Sequence, residues 1–208
     1  MHRFNQLVLL AVSIVAALAI SACGGDDDDG GDSGGSDEDA QITEVIETSV
    51  KSSDPADCTT LQTQKFVEQI QFESGAEAVA SCEEDAADTS DDPDSVEVSS
   101  IEVEGTNATA DVSFVGSPFD GSTLSLALVK EGDQWKLDEI TDIPEFDFEA
   151  FQASFSEELT ADGDVPPEVA TCIGDSFSSA GADTVKEAFI SGDEAQLTAL
   201  FGDCLGGA

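Results

Sequence analysis

Between Val96 and Thr141 the chain alternates apolar and polar residues in four successive runs, and this period of two constrains the fold more than any other feature. Val96, Val98, Ile101 and Val103 make the first run, with a slip at Ser99-Ser100 that predicts a β-bulge. Ala108, Ala110, Val112 and Phe114 make the second, Leu124, Leu126 and Leu128 the third, and Trp135, Leu137 and Ile140 the fourth. Turn residues separate them at Gly105-Thr106-Asn107, from Gly116 to Gly121, and at Glu131-Gly132-Asp133. Successive side chains of a strand point to opposite faces, so each run has one apolar face, and connections this short join only antiparallel neighbours. The pattern predicts an antiparallel meander with one buried face.

On either side the period changes to that of a helix. Ile42, Val45, Ile46 and Val50 share one helical face from Gln41 until Asp54-Pro55. A second helix is predicted from about Thr59 to Glu73 with Leu61, Phe66, Val67 and Ile70 inward, and a third, after Ser74-Gly75, to about Asp85. Beyond Asp142-Ile143-Pro144, Phe148, Phe151, Phe155 and Leu159 recur at helical spacing. Pro166-Pro167 opens another helix, Asp183 is predicted to cap a further one, and Asp193 with Gln196 reads as a capping box for the last. The fold class is therefore α+β: three N-terminal helices on a four-stranded antiparallel meander over residues 41–142, and a small all-α domain over residues 143–208. The phenylalanine stripe of that domain reads as core.

The N-terminus has a separate character. Met1 to Gln6 carries Arg3 and no acid, Leu7 to Ile20 is apolar apart from Ser13, and Ser21-Ala22 is small, which is the order of a secretory signal. Fourteen helical residues reach roughly 21 Å, short of the roughly 30 Å of a hydrocarbon core. Ile20-Ser21-Ala22-Cys23 resembles the lipobox of bacterial lipoproteins. That resemblance implies cleavage of residues 1–22, acylation of Cys23, and attachment of the chain to the lipid bilayer on the extracytoplasmic face of the cell envelope. Residues 23–40 contain no apolar group larger than alanine after Cys23 and are expected to be a disordered acidic tether. Gly31-Asp32-Ser33-Gly34-Gly35 matches a serine nucleophile motif by accident, because the chain's one histidine, His2, lies in the leader and leaves no base.

With Cys23 assigned to lipid, Cys58, Cys82, Cys172 and Cys204 remain. Export to an oxidising compartment makes disulfides the default. Three connectivities can be drawn, and proximity in sequence favours Cys58 with Cys82 and Cys172 with Cys204. Closing loops of about 25 and 33 residues is worth roughly 3.5 kcal/mol each on the chain-entropy argument. A zinc site lacks any CxxC or histidine support, and no metal or cofactor is expected.

Outside the leader five lysines face 46 acids. Such a body repels nucleic acid and anionic membrane surfaces, whose binding depends on Lys and Arg neutralising phosphates. The acid excess reads as a solvated surface. Its alternative is low-affinity capture of divalent cations by the tether and by the run from Glu83 to Asp94, which holds seven carboxylates in twelve residues.

Three helices followed by a meander that ends in Leu126-Ala127-Leu128-Val129-Lys130-Glu131-Gly132-Asp133-Gln134-Trp135-Lys136-Leu137 resemble the nuclear-transport-factor-two-like, or SnoaL-like, cone fold, in particular its exported lipoprotein versions in actinobacteria. Enzymes of that superfamily use an Asp or His base with a Tyr or second acid inside the cone. Beyond the leader this chain has no His, Tyr or Arg, and Asp111 alternates away from the face that carries Phe114. The resemblance thus implies a noncatalytic binding or scaffolding module, for a small apolar ligand or a protein partner at the cell envelope, with a SnoaL-like enzyme as the lesser reading.

Overall fold

The computed structural model describes residues 34–87, 93–161 and 165–205. The leader, Cys23 and the first part of the tether lie outside the described residues. Among the described residues there are eight helices and one four-stranded sheet, so the class is α+β. The four strands are β1 (Ser95–Glu104), β2 (Asn107–Val115), β3 (Thr123–Glu131) and β4 (Gln134–Glu145). They pair in chain order, each antiparallel to the next. The slip at Ser99-Ser100 is a register shift between Ser99 and Glu102, and Ser100 there adopts φ 51°. Gly132 makes the β3–β4 turn at φ 66°, a conformation that costs most other residues about 1–2 kcal/mol.

Helix α1 (Gly34–Lys51) begins at Gly34 rather than Gln41, so residues 34–40 of the expected tether are helical. Adding turns to a helix already nucleated by Ile42 and Ile46 costs little. Asp37 stands in the first turn, where the helix dipole favours an acid, and Glu38 pairs with Lys130 at 2.6 Å. Ile42 and Ile46 are fully buried against the sheet.

The predicted helix from Thr59 to Glu73 is two helices, α2 (Asp57–Thr60) and α3 (Gln64–Gln71), so four helices precede the sheet rather than three. Between them the backbone leaves the helix to bond the outer edge of β4: Thr63 N–H donates to the Leu137 carbonyl at 2.8 Å, and Leu137 N–H donates to Leu61 at 2.9 Å. The Thr63 hydroxyl then caps α3 by accepting from Phe66 N–H. Further along, the Gln69 amide acts as a surrogate strand for the same edge. Its oxygen accepts from Ile140 N–H at 2.7 Å, and its NH2 donates to the carbonyls of Ile140 and Ile190. Edge strands with unpaired backbone invite unwanted pairing, and here α3 and its lead-in occupy the β4 edge.

Helix α4 (Ala76–Asp85) packs on α2 and α3, and Val67, Ala78, Cys58 and Cys82 form a small core there. Helix α4 ends at Asp85, as the periodicity predicts, so Glu83, Glu84 and the buried Asp85 of the acidic run are helical. Residues 88–92 of that run lie outside the described residues.

The C-terminal helices are α5 (Phe148–Ala161), α6 (Pro167–Ala180), α7 (Ala182–Ser191) and α8 (Glu194–Leu205). Asp183 sits in the first turn of α7 and is not its cap, which is Gly181. Asp193 accepts from Ala195 N–H, while the Gln196 side chain turns to the Asp193 carboxylate rather than to its N–H. The seam expected at residues 142/143 falls inside β4, and Ile143 belongs to the core of the sheet. Helix α7 packs against β4 and α3, and Phe119 and Phe146 touch both the sheet core and the helical core.

Both favoured cysteine pairs stand at bonding distance: Cys58–Cys82 and Cys172–Cys204 each have sulfurs 2.00 Å apart. Converting Cys172 and Cys204 to serine together is expected to destabilise the α5–α8 region by about 3 kcal/mol. Non-reducing peptide mapping of the wild type should show these two links, and urea titration of the variant, followed by amide exchange, should locate the loss in α6 and α8.

Candidate functional site

The covered face of the sheet is the first place to look for a site, and it is filled. Ala110, Val112, Leu126, Leu128, Trp135 and Leu137 point to that face, with Ile42, Ile46 and Phe66 of α1 and α3 seated on them. Each is at most 7 % exposed. The members of this core are apolar, and none carries a carboxylate. The buried carboxylate of Asp85 belongs to α4, outside that cluster.

The other face of the sheet is polar. Asp111 projects there, as its alternation with Phe114 predicts, and its carboxylate accepts from the Ser125 hydroxyl at 2.7 Å. Ser113 and Thr123 bond across the same face at 3.1 Å, and Thr141 donates to the Ser125 carbonyl at 3.0 Å. These groups satisfy one another, as polar groups at a half-buried surface do.

The groups whose titration is shifted lie elsewhere again. The Lys186 ammonium beside Asp142, at 2.6 Å, and the N–H of Ile143 hold the Asp142 carboxyl below its ordinary 3.8. The Gln64 amide and then Gly75 N–H lower Glu68. A hydrogen bond to Glu139 leads the causes that raise Lys65, against the opposing cost of burial. Each is a seam between elements rather than a pair poised for chemistry. Asp142 and Lys186 join β4 to α7, so their charge contributes stability above the unfolded carboxyl pKa, lost as pH falls through the depressed folded value. Solvent screens this half-exposed pair, and Asp142→Asn should cost under about 1 kcal/mol near neutral pH. The gap between variant and wild type in urea midpoint should close as pH falls through that depressed folded value.

A concave feature does occur between α6 and α8, a groove of about 560 Å³. Glu168, Thr171, Cys172, Asp175 and Ser176 of α6 supply one wall, and Leu200 of α8 part of the other. The α6 residues recur every three or four positions, which places them on one helical stripe. That polar stripe is written in the sequence beside the inward one of Val169, Cys172, Ile173 and Phe177; helical period assigns Cys172 to the inward set, whereas here it is half-buried and lines the groove. Cys172 lines the groove and is bonded to the buried Cys204, and the Ser176 hydroxyl lies 3.5 Å from Cys204 Sγ. A disulfide sulfur has no hydrogen, so the hydroxyl is the donor. The groove offers hydroxyls, two carboxylates and an apolar floor, with no histidine or lysine to act as a base.

The residues expected to carry function thus divide. Cys58 with Cys82 and Cys172 with Cys204 come together as pairs, Asp111 stays on the outer face, and Cys23 lies outside the described residues. Among the described residues no helix is long and apolar enough to cross a membrane, and no group of three or more His, Cys, Asp or Glu is placed to hold a metal ion. The chain matches no protein-family model, no curated protein and no solved structure with which it was compared.

Proposed function

We propose that this protein is a noncatalytic binding or scaffolding module, held on the extracytoplasmic face of the membrane by acylated Cys23, with a nuclear-transport-factor-two-like cone at its centre. The observation that carries the noncatalytic reading is the filled face of the sheet. A catalytic cone needs an interior acid or base beside a space for substrate; here an apolar cluster covers the sheet, and the buried polar pair beside it, Ser49 and Gln62, bond each other and supply neither. Helices followed by a four-stranded meander support the cone, and disulfide pairing supports export. What the module offers a partner is then its surface, which is strongly acidic and concave between α6 and α8.

Two measurements test the two halves of this reading. An azido fatty acid fed to the producing bacterium should label the wild-type chain and leave Cys23→Ala unlabelled; equal labelling of both removes the anchor. Nile red, a neutral apolar dye, should find no saturable site on the native protein. Stoichiometric binding that is lost when the larger side chain of Leu128→Phe fills the core would place a ligand cavity inside the sheet and overturn the sealed interior.

A further inference from the structure

The two disulfides differ in what surrounds them. Cys58 and Cys82 are 4 % and 0 % exposed, enclosed by α2, α3 and α4 with Val67 and Ala78. Cys172 is only half-buried and lines the open groove between α6 and α8, while its partner Cys204 is 6 % exposed beneath it. Thiol–disulfide exchange requires a thiolate to reach one of the two sulfurs, so access decides which bond reacts. We propose that Cys172–Cys204 is a thiol-exchange site, at which a small cationic or zwitterionic thiol enters the groove and forms a mixed disulfide with Cys172.

The chemistry balances without an external oxidant. The incoming thiolate sulfur bonds to Cys172 Sγ, the bond between the two cysteine sulfurs breaks, and its electron pair leaves on Cys204, which then takes a proton from water. The Ser176 hydroxyl, already directed at Cys204 Sγ, donates to that sulfur as it becomes anionic. A second thiolate attacks the mixed disulfide to free Cys172, so that two small thiols become one disulfide and the protein gains two electrons. The charged side chains that line the groove are Glu168 and Asp175, both exposed acids. They repel an anionic thiol and admit one whose ammonium offsets the charge of its thiolate. The consequence is structural as well, since this bond ties α8 to α6. The exchange depends on the groove alone and is independent of the lipid anchor.

The test uses the purified native protein with cysteamine, which is cationic, and 2-mercaptoethanesulfonate, which is anionic, compared at equal thiolate concentration. Alkylation with mass-spectrometric mapping reads each cysteine separately. Cys172 and Cys204 should open on the order of tenfold faster than Cys58 and Cys82, with Cys172 carrying the mixed disulfide. Cysteamine should react faster than the sulfonate by roughly threefold or more, and Glu168→Gln with Asp175→Asn should bring that ratio toward one. Both substituted positions are exposed, so the double variant keeps the fold. Reduction of the two disulfides together, a rate that levels off with thiol concentration, or a ratio unmoved by the double variant would each overturn the proposal, because entry would then follow helix opening and not the groove.

Discussion

Phe151→Ala is expected to lower the stability of the whole protein by about 3–5 kcal/mol. Phe151 is 1 % exposed and its ring centroid lies 5.1 Å from that of Phe189, 5.3 Å from Phe146 and 5.5 Å from Phe119. Phe155 and Phe177 complete the shell at 5.7 and 6.0 Å. These neighbours come from the β2–β3 loop, from the segment after β4, and from three helices, so removal of one ring opens a cavity that no single element can move in to fill. The edge-to-face contact with Phe189, interplanar angle 81°, is lost with it. Phe148 is the control. It is half-buried and its ring pair is with Phe146 at 5.7 Å, so Phe148→Ala should cost roughly 1–2 kcal/mol. Urea titration of both variants checks this, and equal losses would mean that the aromatic cluster is not centred on Phe151.

Because Phe119 and Phe146 reach both cores, the effect should extend to the sheet. Sequence periodicity treats residues 41–142 and 143–208 as two modules. The chain folds them against each other along β4, where Gln69 bonds Ile140 on one side and Ile190 on the other. Contacts of this kind pair residues 71 and 121 positions apart, and nothing in the local pattern announces them.

What was legible in the sequence is what is decided locally. The four alternating runs, the bulge at Ser99-Ser100 and the glycine turn at Gly132 follow from side-chain period and backbone sterics. The two cysteine pairs follow from loop length, and the polar position of Asp111 from alternation. What was not legible was decided by distant partners. The break at Leu61–Thr63 inside an apparent helix is set by Leu137, and the early start of α1 is accompanied by the Lys130 ion pair to Glu38. Thr63 carried a local signal of the break, a capping residue three positions before Phe66, but the apolar period around it is continuous enough to hide it. The groove was missed for another reason: its residues are polar and exposed, and an exposed polar stripe is the ordinary outer face of any amphipathic helix.

Gly192→Ala should be nearly as costly as the loss of Phe151, at roughly 3–5 kcal/mol. Gly192 ends α7 with φ +60°, a left-handed conformation that penalises a side chain by about 1–2 kcal/mol. It also sits directly against α3. A Cβ at this position would stand 2.7 Å from the Cα of Gln69 and 3.1 Å from its carbonyl oxygen, and backbone, unlike the end of a side chain, cannot swing aside. Relief therefore requires α7 to move away from α3, which draws Ile190 off the Gln69 amide and leaves buried backbone groups without partners. Gly132→Ala separates the two contributions, since Gly132 has φ +66° and nothing within 4 Å of its would-be Cβ. That variant should lose only the backbone cost, about 1–2 kcal/mol. The difference between them, read from urea midpoints, measures the seam between α3 and α7. In Gly192→Ala amide exchange should rise in α7 and at Ile140 together, because one glutamine holds both. A rise in α7 with Ile140 unchanged would show that the Gln69 clamp does not couple them.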